Sequence, residues 1–206
     1  MHPNQIMANA DHPTKMHGAV DADWGGDTKH CKRVSGILLC MAGGTIVYKT
    51  KFQDTIAMSS TEAEFTAACN ARKAILYVQS ILDEINIPQD NATLLFINNN
   101  GALMMANAQQ PTRRCRHMDI KKFVMLDWVE RDLLTMKRVS TTDNYSDSLT
   151  KPLGRILHYK HNDYILGKHI PLYASYAKEL RAKQEECEQE EVNTNTSPSI
   201  SKFVFH

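Results

Sequence analysis

From Ser59 to Ile87 the chain contains no glycine and no proline, and its apolar side chains recur at helical spacing. That stretch constrains the fold more than any other, because a helix of this length must bury one face along most of a small domain. Ser59 and Glu62 fit the S-x-x-E capping box that opens a helix, and the helix is predicted to end near Asn86, before Pro88. Positions 64, 68, 71, 75, 78, 82 and 85 form the i, i+4, i+7 series of the core-facing stripe. They hold Glu64, Ala68, Ala71, Ile75, Val78, Leu82 and Ile85. A carboxylate therefore stands in line with the buried face. An unpaired buried carboxylate is costly, so Glu64 is either a first-turn acid favoured by the helix dipole or a partnered or metal-bound group.

Around this helix the pattern alternates between strand and helix. His17 to Asp23, Val34 to Met41 and Thr45 to Lys51 read as strands with short connections, the last two joined at Gly43-Gly44. Thr93 to Ile97 reads as a buried strand, and Asn98-Asn99-Asn100-Gly101 turns into a short helix over Ala102 to Ala108. Phe123, Leu126, Val129 and Leu133 repeat at three and four, which predicts a helix from Asp119 to Leu134 with those residues inward. Met136 to Ser140 is one more strand, Asp143 to Leu153 a segment capped by an aspartate, and Ile156 to Leu166 a further helix. A meander followed by β-α-β units implies an α/β fold, a mixed sheet with helices on its faces. The expected organisation is a flexible 1–15, a domain over 16–155, a helical extension over 156–177, and a charged, disordered tail over 178–206.

The totals exclude more than they assign. A net charge of +1 offers no global attraction for nucleic acid, so any basic surface must be local. Five cysteines without C-x-x-C spacing, and no signal peptide, read as reduced thiols in an intracellular, cytoplasmic or nuclear, unsecreted protein. No run reaches the roughly 18 apolar residues of a membrane span, and no obligate oligomer is evident. Asp21-Ala22-Asp23-Trp24-Gly25-Gly26-Asp27 is acidic but fails as a calcium loop, because Gly25 and Lys32 stand at ligand positions. Arg113, Arg114, Arg116, Lys121 and Lys122 face one acid, Asp119; the run is either a solvated face or a phosphate-binding patch.

In order along the chain stand Val20-Asp21-Ala22-Asp23-Trp24, Ser35-Gly36, Ser59-Ser60-Thr61-Glu62-Ala63-Glu64-Phe65, Arg116-His117-Met118-Asp119-Ile120 and Asp147-Ser148-Leu149-Thr150-Lys151-Pro152-Leu153. Together these strings resemble the ribonuclease H domain of copia-type retrotransposon polyproteins, over about residues 16–155. The resemblance implies a ribonuclease H-like fold: a five-stranded mixed sheet, three antiparallel strands and then parallel ones, flanked by helices. It implies metal-dependent cleavage of the RNA strand of an RNA–DNA hybrid, with two Mg2+ ions (Mn2+ the alternative) held by carboxylates. It also implies a reverse transcriptase domain upstream in the parent polyprotein, and the chain reads as if cut from one.

Residue by residue, the resemblance implies that Asp21, Glu64 and Asp147 are the catalytic metal ligands, with Asp23 the fallback for Asp21. His117 matches a family histidine with a positioning role, and Arg113, Arg114, Arg116, His117, Lys121 and Lys122 become nucleic-acid contacts. The chain departs from the family where a C-D-N-Q-S-A-like string is usual, because the expected catalytic aspartate is Asn98. Losing that charge is expected to impair hydrolysis severely, since each 1.36 kcal/mol of transition-state stabilisation is worth about tenfold in rate. Tyr48 replaces a usual tryptophan, with repacking of the core expected, and Ser146 replaces an alanine. The alternatives are a non-catalytic nucleic-acid-binding or interaction module derived from a retroelement, and a genomic relic.

Overall fold

The computed structural model describes residues 15–23, 33–54, 56–89, 91–107 and 116–168, the last range without the side chains of 116–119. The chain divides into two units, Met1–His169 and Ile170–His206, and the second lies wholly outside the described residues. Within the first unit the order is β1 (His17–Asp23), β2 (Val34–Met41), β3 (Gly44–Phe52), α1 (Ser60–Glu84), β4 (Thr93–Ile97), α2 (Asn100–Asn107), α3 (Arg116–Glu130), β5 (Leu134–Arg138) and α4 (Arg155–Ile165). Two 3-10 turns, Thr141–Asp143 and Tyr145–Leu149, stand between β5 and α4.

The five strands form one sheet in the order β3-β2-β1-β4-β5. β1, β2 and β3 are antiparallel, while β4 runs parallel to β1 and to β5. This is the ribonuclease H-like arrangement. The β2–β3 hairpin closes through Ala42 and Gly43, both at positive φ (52° and 81°), the two-residue turn that matches strand twist.

Alternation along the strands sorts the sheet into two faces. Val20, Ala22, Ile37, Leu39, Leu95 and Ile97 join the core built with α1, whose Ala68, Ala71, Ile75, Val78 and Leu82 are buried along the predicted stripe; Ile85 is exposed. Ser59 caps α1 by accepting from the Glu62 N–H at 3.1 Å, and the Glu62 carboxylate reaches back to the Met58 N–H at 2.8 Å. The capping box is therefore shifted by one residue on its return bond.

Three local expectations need correction. The inward face of α3 is Met125 and Trp128 with Lys122, while Phe123 is exposed and Leu126 and Val129 are only half-buried. Arg72 of α1 stacks over Trp128 at 4.8 Å, which rotates the helix onto that face. Tyr48 is 74% exposed on β3 and repacks no core. The segment expected to continue from Asp143 as one element is instead two tight turns separated by Asn144, whose side chain is pulled into the sheet.

Candidate active site

The β1–β4 register pairs Val20 with Ile97, so the next residues, Asp21 and Asn98, emerge side by side at the same end of the sheet. Across the other edge of β1, Asp21 pairs with Gly36. A side chain at residue 36 would collide with backbone and side chain of the second 3-10 turn: Ser146 O at 2.9 Å, Thr150 Cγ2 at 2.8 Å and Leu149 Cβ at 3.0 Å. Glycine here lets that turn lie directly on β2, beside Asp21. The turn is also tied from below. Asn144, fully buried, donates from Nδ2 to the Val20 carbonyl at 2.9 Å and accepts from the Ser146 hydroxyl at 2.7 Å. Ser146, which stands for a usual alanine, thus has a partner. Together these bonds deliver Asp147 to Asp21.

Glu64 comes from the second turn of α1, just past the first-turn acid Glu62, and not from the first turn that the sequence pattern suggests. Asp21 (1% exposed), Glu64 (5%) and Asp147 (2%) are all buried, and each lies within electrostatic reach of the others. Burial, then the Asp21 charge, pushes the Glu64 carboxyl up to about 9. Burial and Asp21 likewise raise Asp147 above the usual carboxylate range, against the pull of Lys151. Asp23 shares the strand face of Asp21 but ends β1 half-buried, and its charge acts on Arg33 rather than on Glu64 or Asp147.

Donors from the chain fill much of this cluster. Asn98 Nδ2 donates to Asp21 Oδ1 at 3.3 Å, and the Thr150 hydroxyl donates to Asp21 Oδ2. Lys151 Nζ lies 2.9 Å from Asp147 Oδ2 and 3.5 Å from Asp21 Oδ2. The amide of Asn98 must present nitrogen here, since its oxygen would face a carboxylate oxygen. Two buried oxygens are left without a hydrogen-bond partner: Glu64 Oε2 and Asp147 Oδ1. Hard divalent cations favour such oxygens. Even so, among the described residues no group of three or more His, Cys, Asp or Glu side chains is arranged to hold a metal ion. As placed, the residues do not fit a metal pair.

Of the nucleic-acid residues expected from sequence, Arg113 and Arg114 lie outside the described residues, as do the side chains of Arg116 and His117. Lys121 is half-buried, and Lys122 is buried, which removes it from the solvent-facing set. A basic surface appears elsewhere. Between β3 and α1 a groove of about 420 Å³ is lined by Lys49, Lys51, Lys73, Asn70 and Tyr77, with one acid, Asp54, that pairs with Lys51 at 3.0 Å. Its sequence signal was available: Lys49 and Lys51 alternate on β3, and Asn70, Lys73 and Tyr77 recur at i, i+3, i+7 on α1.

No protein-family model matches the chain. It is 29% identical over 140 residues to the retrovirus-related Pol polyprotein from transposon TNT 1-94 of Nicotiana tabacum, covering 68% of this chain and 10% of that protein. Over 154 residues it is also 29% identical to the retrovirus-related Pol polyprotein from transposon RE1 of Arabidopsis thaliana, covering 74% of this chain. Both of these relatives are Pol polyproteins of transposons. The chain spans about a tenth of the length of these curated relatives. The described part of the chain has the ribonuclease H-like topology given above. Among solved structures, LC11-RNase H1 in complex with RNA/DNA hybrid gives a TM-score of 0.49 at 14% identity, over 66% of this chain and 94% of that one. At that score the strand order, not the superposition, carries the fold. No described helix is long and apolar enough to cross a membrane.

Proposed function

We propose that this chain is a ribonuclease H-type domain of a copia-like retroelement that takes an RNA–DNA hybrid and hydrolyses its RNA strand poorly. The observation that carries the reading is the meeting of Asp21, Glu64 and Asp147 at one sheet end, with the Asn98 amide donating into Asp21. Three acids from three distant segments support hydrolytic chemistry of the kind the resemblance implies. The fourth position supports impairment, because an amide removes one negative charge and occupies an Asp21 oxygen. The resemblance implies Mg2+, or Mn2+ in its place, but the residues as placed do not fit a metal pair, so this reading routes no step through one. Selectivity for the hybrid would come from groove shape and 2′-hydroxyl contacts. In the parent polyprotein the domain would follow a reverse transcriptase.

A labelled RNA–DNA hybrid incubated with the chain and Mg2+, beside Asn98→Asp, tests the reading. The expected result is faster cleavage by Asn98→Asp by roughly two orders of magnitude, about 3 kcal/mol of transition-state stabilisation. Equal rates for the two forms would refute the impairment.

The lysine groove favours a second reading, a non-catalytic module that binds the hybrid without cutting it. Neither form would then cleave, while hybrid binding would persist and weaken with salt.

A further inference from the structure

The acidic cluster already contains a cation. Lys151 Nζ bridges Asp147 Oδ2 at 2.9 Å and Asp21 Oδ2 at 3.5 Å, from a side chain that is 31% exposed. It is set there by the turn that carries Asp147, whose carbonyl accepts from the Lys151 N–H at 3.1 Å and from the Thr150 hydroxyl, also at 3.1 Å. Asp21 is satisfied on both oxygens, by Asn98 on one and by Thr150 and Lys151 on the other. We propose that Lys151 is the built-in counter-cation of this cluster, holding Asp21 and Asp147 together in place of a divalent ion. The folded site is then assembled without metal, and a metal ion must displace the ammonium to enter.

Charge and donor count point the same way. An aspartate at residue 98 would add a fourth acid and remove an N–H donor, leaving one ammonium too little positive charge for the cluster. With asparagine, Asp21 and Asp147 are met by one ammonium, one amide and one hydroxyl. The buried cluster oxygens still open, Glu64 Oε2 and Asp147 Oδ1, come from only two side chains. A divalent cation of the magnesium class wants about six oxygens in near-octahedral geometry and sheds its water reluctantly, so two are a poor exchange for breaking the Lys151 bridge. Lysine suits a displaceable role, because its charge sits at the end of a flexible four-carbon stem.

This inference rests on reading the acids as a ribonuclease H-type cluster, but its test needs no nucleic acid. The full chain, Lys151→Met and Lys151→Arg are melted in EDTA and then with MgCl2 at constant ionic strength, near neutral pH. Mn2+ binding is read from the paramagnetic resonance of the free ion. The natural chain should melt at the same temperature in EDTA and in Mg2+. Lys151→Met should melt lower in EDTA, recover as Mg2+ is added, and bind Mn2+ about tenfold or more tightly than the natural chain. Lys151→Arg, which keeps a cation, should melt closer to the natural chain. A Mg2+-dependent rise in the natural chain equal to that of Lys151→Met overturns the proposal, as does an unchanged EDTA melting temperature for Lys151→Met. Should Lys151→Met not fold in EDTA, recovery of its circular dichroism with Mn2+ supports the proposal and no recovery counts against it. A wrong functional reading shows separately, as no binding of the hybrid by the natural chain.

Discussion

Glu64 is the residue at which folding and chemistry compete most openly. Its carboxyl sits on the buried face of α1 with Asp21 and Asp147 nearby, and burial first, then Asp21, holds it up to about 9 against an ordinary 4.5. The folded chain therefore keeps a proton on Glu64 that the unfolded chain releases above about 4.5. Between those limits the native state binds more protons, so stability falls as pH rises and the loss is complete above about 9. The raised carboxyl of Asp147 adds to this slope. His17 acts on the other side: its imidazole is lowered to about 4, chiefly by burial, so its cost grows as pH falls below the ordinary 6.5. In EDTA, the denaturation midpoint should drop across the neutral-to-alkaline range. Glu64→Gln, which cannot ionise, should flatten that drop and be more stable at the alkaline end by roughly 2–4 kcal/mol. Urea titrations at several pH values read this directly, and a slope unchanged in Glu64→Gln would show that the carboxyl is solvated rather than buried.

Among the elements, α4 supports the site from behind. Tyr164 stacks on Tyr145 with ring centroids 3.7 Å apart, and its hydroxyl bonds His17 Nε2 on β1 at 2.9 Å. His161, fully buried, meets the edge of Tyr145 at 5.2 Å. Tyr145 opens the turn that carries Asp147, so α4 presses that turn onto the sheet. Tyr164→Ala should cost about 3–5 kcal/mol and loosen residues 145–149, whereas Tyr164→Phe, losing only the hydroxyl bond, should cost about 1 kcal/mol. Denaturation and amide exchange of the turn check both, and slow exchange retained in Tyr164→Ala would sink the idea. The helix itself was legible in the sequence over Ile156 to Leu166; its load was not, because ring stacking joins residues far apart along the chain. The strands and α1 were legible because alternation and the i, i+4, i+7 stripe are local signals. α3 misled because Lys122 takes an inward position that composition assigns to Phe123. The meeting of Asp21, Glu64 and Asp147 could be anticipated only through resemblance. The bridge from Lys151 could not, since it depends on the close approach that Gly36 permits.

At the scale of the molecule, a net charge of +1 means that a polyanion finds no general attraction, and local geometry has to supply it. The groove between β3 and α1 is the candidate among the described residues: Lys49, Lys51 and Lys73 line it, and its one acid is paired with Lys51. These lysines are exposed, so reversing two of them leaves the core intact. If the groove tracks the backbone of a hybrid strand, Lys49→Glu with Lys73→Glu should weaken hybrid binding for every sequence alike. It should also lower the slope of log affinity against log salt by about 1 for each phosphate no longer neutralised. The melting temperature should stay within the small change expected of surface substitutions. Fluorescence anisotropy with a labelled hybrid over a salt series measures the slope. A double variant that binds with the natural affinity and slope would move the nucleic-acid surface away from this groove, toward the basic residues near 113–116.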